Sequence, residues 1–138
     1  RAGVNGGTLG TPHFAIRTED SVTGEITELT YETKTGRVTE QTSGTMRSLL
    51  EAVVSEGTGK NAQVEGYQVG GKTATSEKLP RGTGKYISSF LGFAPADHPK
   101  IMGLVLIDEP VGVYYGGTIA APVMAEIFQN ILPYLDNI

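Results

Sequence analysis

The sequence predicts an α+β fold in which helices pack on an antiparallel sheet. Residues 66–75, 86–94 and 100–107 read as strands joined by short turn-forming segments. Short links join antiparallel neighbours, whereas parallel strands need long crossovers. Two further segments, about 40–56 and 118–132, carry apolar residues at helical spacing. With 19 glycines and 7 prolines in 138 residues, the chain has many turns and is no helical bundle. Its length suffices for one domain with a real core.

The elements follow in order. Ala2 to Pro12 is a glycine-rich entry in which Asn5-Gly6-Gly7 marks a turn. Residues 13–33 read as an N-terminal hairpin: Phe14–Arg17 and Glu25–Tyr31 flank the turn-like Asp20-Ser21-Val22-Thr23-Gly24, and their polar alternation predicts a solvent-facing sheet. Thr39 is a good helix N-cap with acidic Glu40 in the first turn. Met46, Leu49, Leu50, Val53 and Val54 then share one face, and Gly57 is expected to end the helix as a left-handed cap. The 66–75 strand ends on Lys72-Thr73-Ala74-Thr75. Tyr86–Ala94 is closed by Pro95 and Lys100–Ile107 is followed by Pro110, with Ala96-Asp97-His98-Pro99 linking the two as a hairpin. These strands are apolar on both faces, which predicts that both faces are covered. In the last helix Pro122 fits the first turn, and Ile119, Val123, Ile127, Phe128, Ile131 and Leu135 form the expected core-facing stripe.

Composition removes several functions. A formal charge of −4 gives no electrostatic footprint for nucleic acid. No apolar run approaches a membrane span and no signal peptide is visible. The absence of cysteine fits an extracytoplasmic bacterial protein and many others. His13 and His98 have no companion ligands nearby and read as surface or turn residues; no metal or cofactor is implied.

Gly66 through Thr73 fits the phosphate-loop pattern G-x-x-x-x-G-K-[ST], and Leu104–Ile107 is an apolar run ending at Asp108, as in a magnesium-holding strand. That chemistry needs a buried strand before the loop and a helix after it. Residues 59–65 hold too few apolar side chains, and Pro80, Gly82 and Gly84 argue against the helix. The nucleotide reading is therefore set aside.

A second reading of the same stretch rests on several motifs in order. They are Asn5-Gly6-Gly7-Thr8-Leu9 with Pro12, Thr45 through Val54, Glu56-Gly57-Thr58-Gly59-Lys60-Asn61-Ala62, and Val69-Gly70-Gly71-Lys72-Thr73-Ala74-Thr75. Ser89 through Pro95, Gly116-Gly117 and Ala120-Ala121-Pro122-Val123 complete the set. Over nearly its whole length the chain resembles the transpeptidase domain of class B penicillin-binding proteins of elongation, division or sporulation type. The resemblance implies a penicillin-binding/β-lactamase-like fold and serine acyl transfer on D-Ala-D-Ala stem peptides, with stem peptide or β-lactam as ligand. It implies a place at the extracytoplasmic face of a bacterial membrane, anchored by a segment outside this chain. Lys72 would supply a cation, and Thr73 and Thr75 hydroxyl donors, to the substrate carboxylate. The Thr75 backbone N–H would be one half of the oxyanion hole. Without the resemblance, Lys72 reads as an edge-strand lysine that blocks aggregation, and both threonines as ordinary β-formers.

The same family needs Ser-x-x-Lys and Ser-x-Asn before its Lys-Thr-Gly. Here the serines are 21, 43, 48, 55, 76, 88 and 89, and none has Lys three residues on or Asn two residues on. Thr75-Ser76-Glu77-Lys78 mimics the nucleophile motif with threonine, but reads as strand and turn. The expectation is a C-terminal half of the domain, its nucleophile-bearing half preceding Arg1, inactive alone and prone to self-association through exposed apolar surface. One departure is Ala74, where the family has glycine; its methyl is expected to crowd the neighbouring strand or a bound acyl group. The competing function is a non-catalytic wall-binding or partner-binding module of the same fold.

Overall fold

The computed structural model describes residues 2–136, which divide into two compact units at Ser43/Gly44. In the first, β1 (Leu9–Gly10) pairs antiparallel with β4 (Thr33–Lys34), and β2 (Arg17–Glu19) with β3 (Ile26–Glu28). The hairpin is present, but its second strand is shorter than the predicted arm and its first is displaced, sharing only Arg17 with the predicted 14–17 arm. Arg17 faces Glu28 and Glu19 faces Ile26, and both strands are exposed throughout. Its turn is built by Asp20, whose carboxylate accepts the Val22 and Thr23 N–H groups at 2.8 Å each. His13 stacks on Tyr31 with 3.9 Å between ring centroids, and the Tyr31 hydroxyl donates to the Ala15 carbonyl at 2.7 Å. Gly6 and Gly7 take positive φ, as the predicted turn requires. The β1–β4 pair was not legible, because two-residue strands carry no periodicity.

Helix α1 (Glu40–Ser55) begins in the first unit and continues into the second. Thr39 caps it by accepting the Thr42 N–H at 3.1 Å. Gly57 is not a left-handed cap. The Gly59 N–H closes the helix on the Val53 carbonyl at 2.9 Å, and glycine is needed at 57 because a Cβ there would lie 2.9 Å from that same oxygen. The apolar stripe is buried only at its end: Val54 is in the core, whereas Met46 and Leu49 are exposed.

The second unit holds the three-stranded sheet β5 (Gly70–Glu77), β6 (Tyr86–Ala94) and β7 (Ile101–Asp108), antiparallel and in that order. The predicted strand over 66–75 is displaced. Gly66 turns at φ +81, Val64 and Tyr67 form an isolated bridge, and the strand runs from Gly70 to Glu77. Lys72–Thr75 therefore lies mid-strand and no helix follows it.

The predicted helix over 118–132 is two helices, α2 (Gly116–Ile119) and α3 (Ala121–Leu135), with Pro122 in the first turn of α3. The buried face of α3 is Ala121, Met124, Phe128 and Leu132, while Val123 and Ile127 of the predicted stripe are exposed. The cross-strand pair Gly92↔Gly103 explains this choice of face. Cβ atoms there would lie 3.1 and 2.9 Å from Met124, so the missing side chains make the hollow that Met124 and Phe128 fill. Phe90, Val69 and Val54 complete the core. The expectation that both sheet faces are covered fails on β7. Val105 and Ile107 pack on the core, but Met102, Leu104 and Leu106 are exposed among the described residues.

Candidate functional site

The ladder fixes which way each backbone group of β5 points. In the register that pairs Glu77 with Tyr86, Lys78 stands opposite Lys85, and its N–H donates to the Lys85 carbonyl at 2.8 Å. Antiparallel pairs alternate between bonded and non-bonded positions. Lys72, Ala74 and Ser76 therefore turn their backbone groups towards β6. Thr73 and Thr75 turn theirs towards the edge of β5 that no other described strand covers. The Thr73 carbonyl is met at that edge by the Lys72 ammonium at 2.7 Å.

Side chains alternate as well. Thr73 and Thr75 share one face; Lys72 and Ala74 project from the other and are exposed. Exposure of Ala74 means that its methyl does not crowd β6, contrary to that part of the expectation.

The threonine face opens on a cleft of about 360 Å³ lined by Thr58, Lys60, Asn61, Thr73, Thr75 and the Tyr115–Thr118 segment. Thr73 Oγ1 and Thr58 Oγ1 are 3.3 Å apart. Thr75 Oγ1 accepts the Gly116 N–H at 3.1 Å. Asn61 Nδ2 donates to the Gly117 carbonyl at 2.8 Å. Beneath them the fully buried Ser88, opposite Thr75 in the register, donates its hydroxyl to the Tyr114 carbonyl. Strand β5 thus brings two hydroxyls, Thr73 and Thr75, to the cleft, with Lys60 in its lining and Lys72 on the adjoining edge. That donor set suits a carboxylate. A larger cleft of about 450 Å³, lined by Arg47, Glu51 and Gln68 among others, contains none of these groups.

Sequence reasoning named Lys72, Thr73, Ala74 and Thr75. It assigned no role to Thr58, Asn61, Ser88 or Gly116-Gly117, although it quoted most of them as motif residues. Their bonds join positions 41 and 56 residues apart, which no local pattern announces.

The two other candidate chemistries do not assemble. Lys78, the lysine of the Thr75-Ser76-Glu77-Lys78 mimic, is bonded to Glu109 at 2.8 Å and Asp108 at 2.9 Å. These bonds, Glu109 first, hold its ammonium above its ordinary range. Asp108, the carboxylate of the nucleotide reading, is thereby engaged. Ser43 accepts the Gly6 N–H at 2.9 Å and Ser48 donates to the Gly44 carbonyl at 3.3 Å, so these hydroxyls serve the backbone.

Residues 1–129 match the penicillin binding protein transpeptidase domain. The chain belongs to that family. The class B resemblance therefore holds, and with it the α+β fold. Stage V sporulation protein D of Bacillus subtilis is 46% identical over 97% of this chain, which spans 22% of that protein. A probable peptidoglycan D,D-transpeptidase PenA of Neisseria flavescens is 40% identical over 68% of this chain and 25% of its own length. Penicillin binding protein 3 of Mycobacterium tuberculosis superposes with a TM-score of 0.82 at 31% identity, over 99% of this chain and 33% of that one. The same protein complexed with ampicillin gives a TM-score of 0.81 at 30% identity, with the same coverage. The chain thus spans between 22% and 33% of the length of these relatives. No helix among the described residues is long and apolar enough to cross a membrane.

Proposed function

We propose that this chain is the C-terminal part of a peptidoglycan D,D-transpeptidase domain, carrying the strand that binds the substrate carboxylate and supplies one oxyanion donor. The observation that carries the reading is the placement of Thr73 and Thr75 on one face of an uncovered edge strand beside Lys72. The outward Thr75 N–H is free of the β6 ladder and suits a developing oxyanion. The Thr73 and Thr75 hydroxyls and the Lys72 ammonium suit the carboxylate of a D-Ala-D-Ala peptide or a β-lactam. The open edge also suits a substrate backbone added as a strand. The relative solved with ampicillin supports a β-lactam as ligand.

The serine nucleophile lies, in this reading, in sequence outside these residues, so the 138 residues alone form no acyl-enzyme. The exposed Met102, Leu104 and Leu106 face the rest of the domain, and in the isolated chain they favour self-association. The working place of the whole protein is the extracytoplasmic face of a bacterial membrane. Ala74 projects beside Lys72, where its methyl narrows the space for an acyl group.

The test is acylation by a fluorescent penicillin in the protein that carries the complete domain. Lys72→Ala is expected to lower the second-order acylation rate roughly 10- to 100-fold, the worth of one hydrogen bond to a charged group. The 138-residue chain, incubated alone, is expected to keep its mass. An unchanged rate in Lys72→Ala makes Lys72 an ordinary edge lysine. A complete domain that never acylates instead supports a non-catalytic binding module.

A further inference from the structure

We propose that Asn61 and the Gly116–Gly117 turn form a positioning relay that fixes the Thr75 hydroxyl as a hydrogen-bond donor to the substrate carboxylate. The inference rests on the carboxylate-binding reading and names residues that control it from outside the Lys-Thr-Ala-Thr stretch.

A threonine hydroxyl has one hydrogen and two acceptor lone pairs, and it rotates to suit its partners. At Thr75 one partner is fixed, because the Gly116 N–H can only donate and does so to Oγ1 at 3.1 Å. With that side of the oxygen occupied by a donor, the Thr75 hydrogen is directed elsewhere, and the cleft is the open direction. Thr73 is different. Its oxygen accepts from the Lys72 ammonium at 3.4 Å and also faces the Thr58 hydroxyl at 3.3 Å, where either group can donate, so its hydrogen has a partner within the protein that the Thr75 hydrogen lacks among the described residues of the cleft.

The relay depends on holding Gly116 in place, and three observations show how. Asn61 Nδ2 ties the next carbonyl, Gly117, at 2.8 Å. Asn61 stands on a short 3₁₀ turn (Lys60–Ala62) whose Ala62 is fully buried in the core, so the tie is anchored. On the other side the buried Ser88 hydroxyl holds the Tyr114 carbonyl. The turn also lies too close to the sheet for any side chain. A Cβ at Gly116 would be 2.4 Å from the Ala74 and Ser89 carbonyl oxygens, and one at Gly117 would be 2.5 Å from the Thr58 carbonyl oxygen. Asn61 is the member of this clamp that can be replaced without touching the strand, so it is the one to test.

The experiment compares acylation of the complete domain by a penicillin with a free carboxylate and by its methyl ester. The readout is the acid-to-ester ratio of second-order rates, in wild type, Thr75→Val, Asn61→Ala and the double variant. Thr75→Val keeps the backbone N–H and removes only the hydroxyl, so it is expected to lower the ratio. Asn61→Ala is expected to lower it roughly 2- to 10-fold, about the range of one net hydrogen bond, and to lower it no further in the Thr75→Val background. A purely structural role for Asn61 would slow acid and ester alike. If Asn61→Ala fails to fold by thermal melting, Asn61→Leu keeps the bulk without the donor and is read in the same way. Should Thr75→Val lower the ratio while the Asn61 variant does not, or should the two losses simply add, the relay is overturned and the carboxylate site stands. Should Thr75→Val leave the ratio unchanged, the relay is overturned, and the carboxylate reading then rests on Lys72 and Thr73, which Lys72→Ala tests separately.

Discussion

The two units of the chain are ordered by different forces. Up to Ser43 the strands are two or three residues long and nearly all exposed, and Val4 is the buried hydrophobic side chain among the described residues there. What orders this unit is a set of solvent-exposed hydrogen bonds: Asp20 to its own turn, Tyr31 to Ala15, and Thr11 to the Glu32 carbonyl at 3.0 Å. From Gly44 onward, strands of eight and nine residues lie on α3 over a core of Phe90, Met124, Phe128 and Leu132. An exposed hydrogen bond is worth about 0.5–1.5 kcal/mol net and can open alone. A buried aromatic shares its packing with many neighbours and opens only with them. The candidate site stands entirely on the second kind of structure, as a constellation needing sub-ångström placement must.

The largest effect should come from the core. Phe90 is 0% exposed and touches the hollow formed at Gly71, Gly92 and Gly59. Phe90→Ala is expected to cost about 3–5 kcal/mol. Phe14, at 110% exposure, has no packing to lose, and Phe14→Ala is expected to stay within about 0.5 kcal/mol of wild type. Urea unfolding of the two variants makes the comparison. Equal losses would mean that the first unit has a packed core after all.

A smaller difference should separate the units without mutation. Amides of β6, central in the sheet, are expected to exchange hydrogen for deuterium on the order of 100-fold more slowly than those of β2 and β3, which open without disturbing any core contact. Native-state exchange read by mass spectrometry over residues 86–94 and 17–28 checks it. Matching protection would show that the exposed hairpin opens only with the sheet.

The same contrast explains what was legible in the sequence. The β6–β7 hairpin was read to within a residue, because long apolar strands bounded by Pro95 and Pro110 are strong local signals. The start of β5 was misplaced by four residues, because Tyr67 and Val69 look like strand but serve an isolated bridge and the core. The stripe on α3 was right at Phe128 and Leu135 and wrong at Val123 and Ile127, because several faces of that helix are apolar. Only the hollow at Gly92 and Gly103, a tertiary feature, selects Met124 over Val123. Similarly, Lys72, Thr73 and Thr75 could be named from a motif, while Asn61 and Gly116 became visible only when folding brought them to the Thr75 face.

The smallest expected effect is electrostatic, and its sign differs between the units. Hydrogen bonds from the Thr23 and then the Val22 backbone hold the Asp20 carboxyl below its ordinary value of 3.8. Bonds from Lys78 and then Lys85 hold Glu109 below 4.5, while Glu109 and then Asp108 hold Lys78 above 10.5. A depressed carboxyl stabilises above its unfolded value, and that contribution is lost as pH falls through the folded one. A raised ammonium stabilises below its unfolded value, and that contribution is lost as pH rises through the folded one. Acid therefore loosens the Asp20 turn and the Glu109 end of the sheet alike, whereas alkali loosens the sheet end and leaves the Asp20 turn. These groups are solvent-exposed, so the effects are small and shrink with salt. In a titration followed by amide chemical shifts, Val22 and Thr23 should move below about pH 4, the ordinary carboxylate range, and Asp20→Asn should abolish that movement. Above pH 10.5 the amides around Lys78 should move while Val22 and Thr23 stay still. If Val22 and Thr23 shift only when the Phe90 amide does, the turn has no independent stability and the two units are one cooperative body.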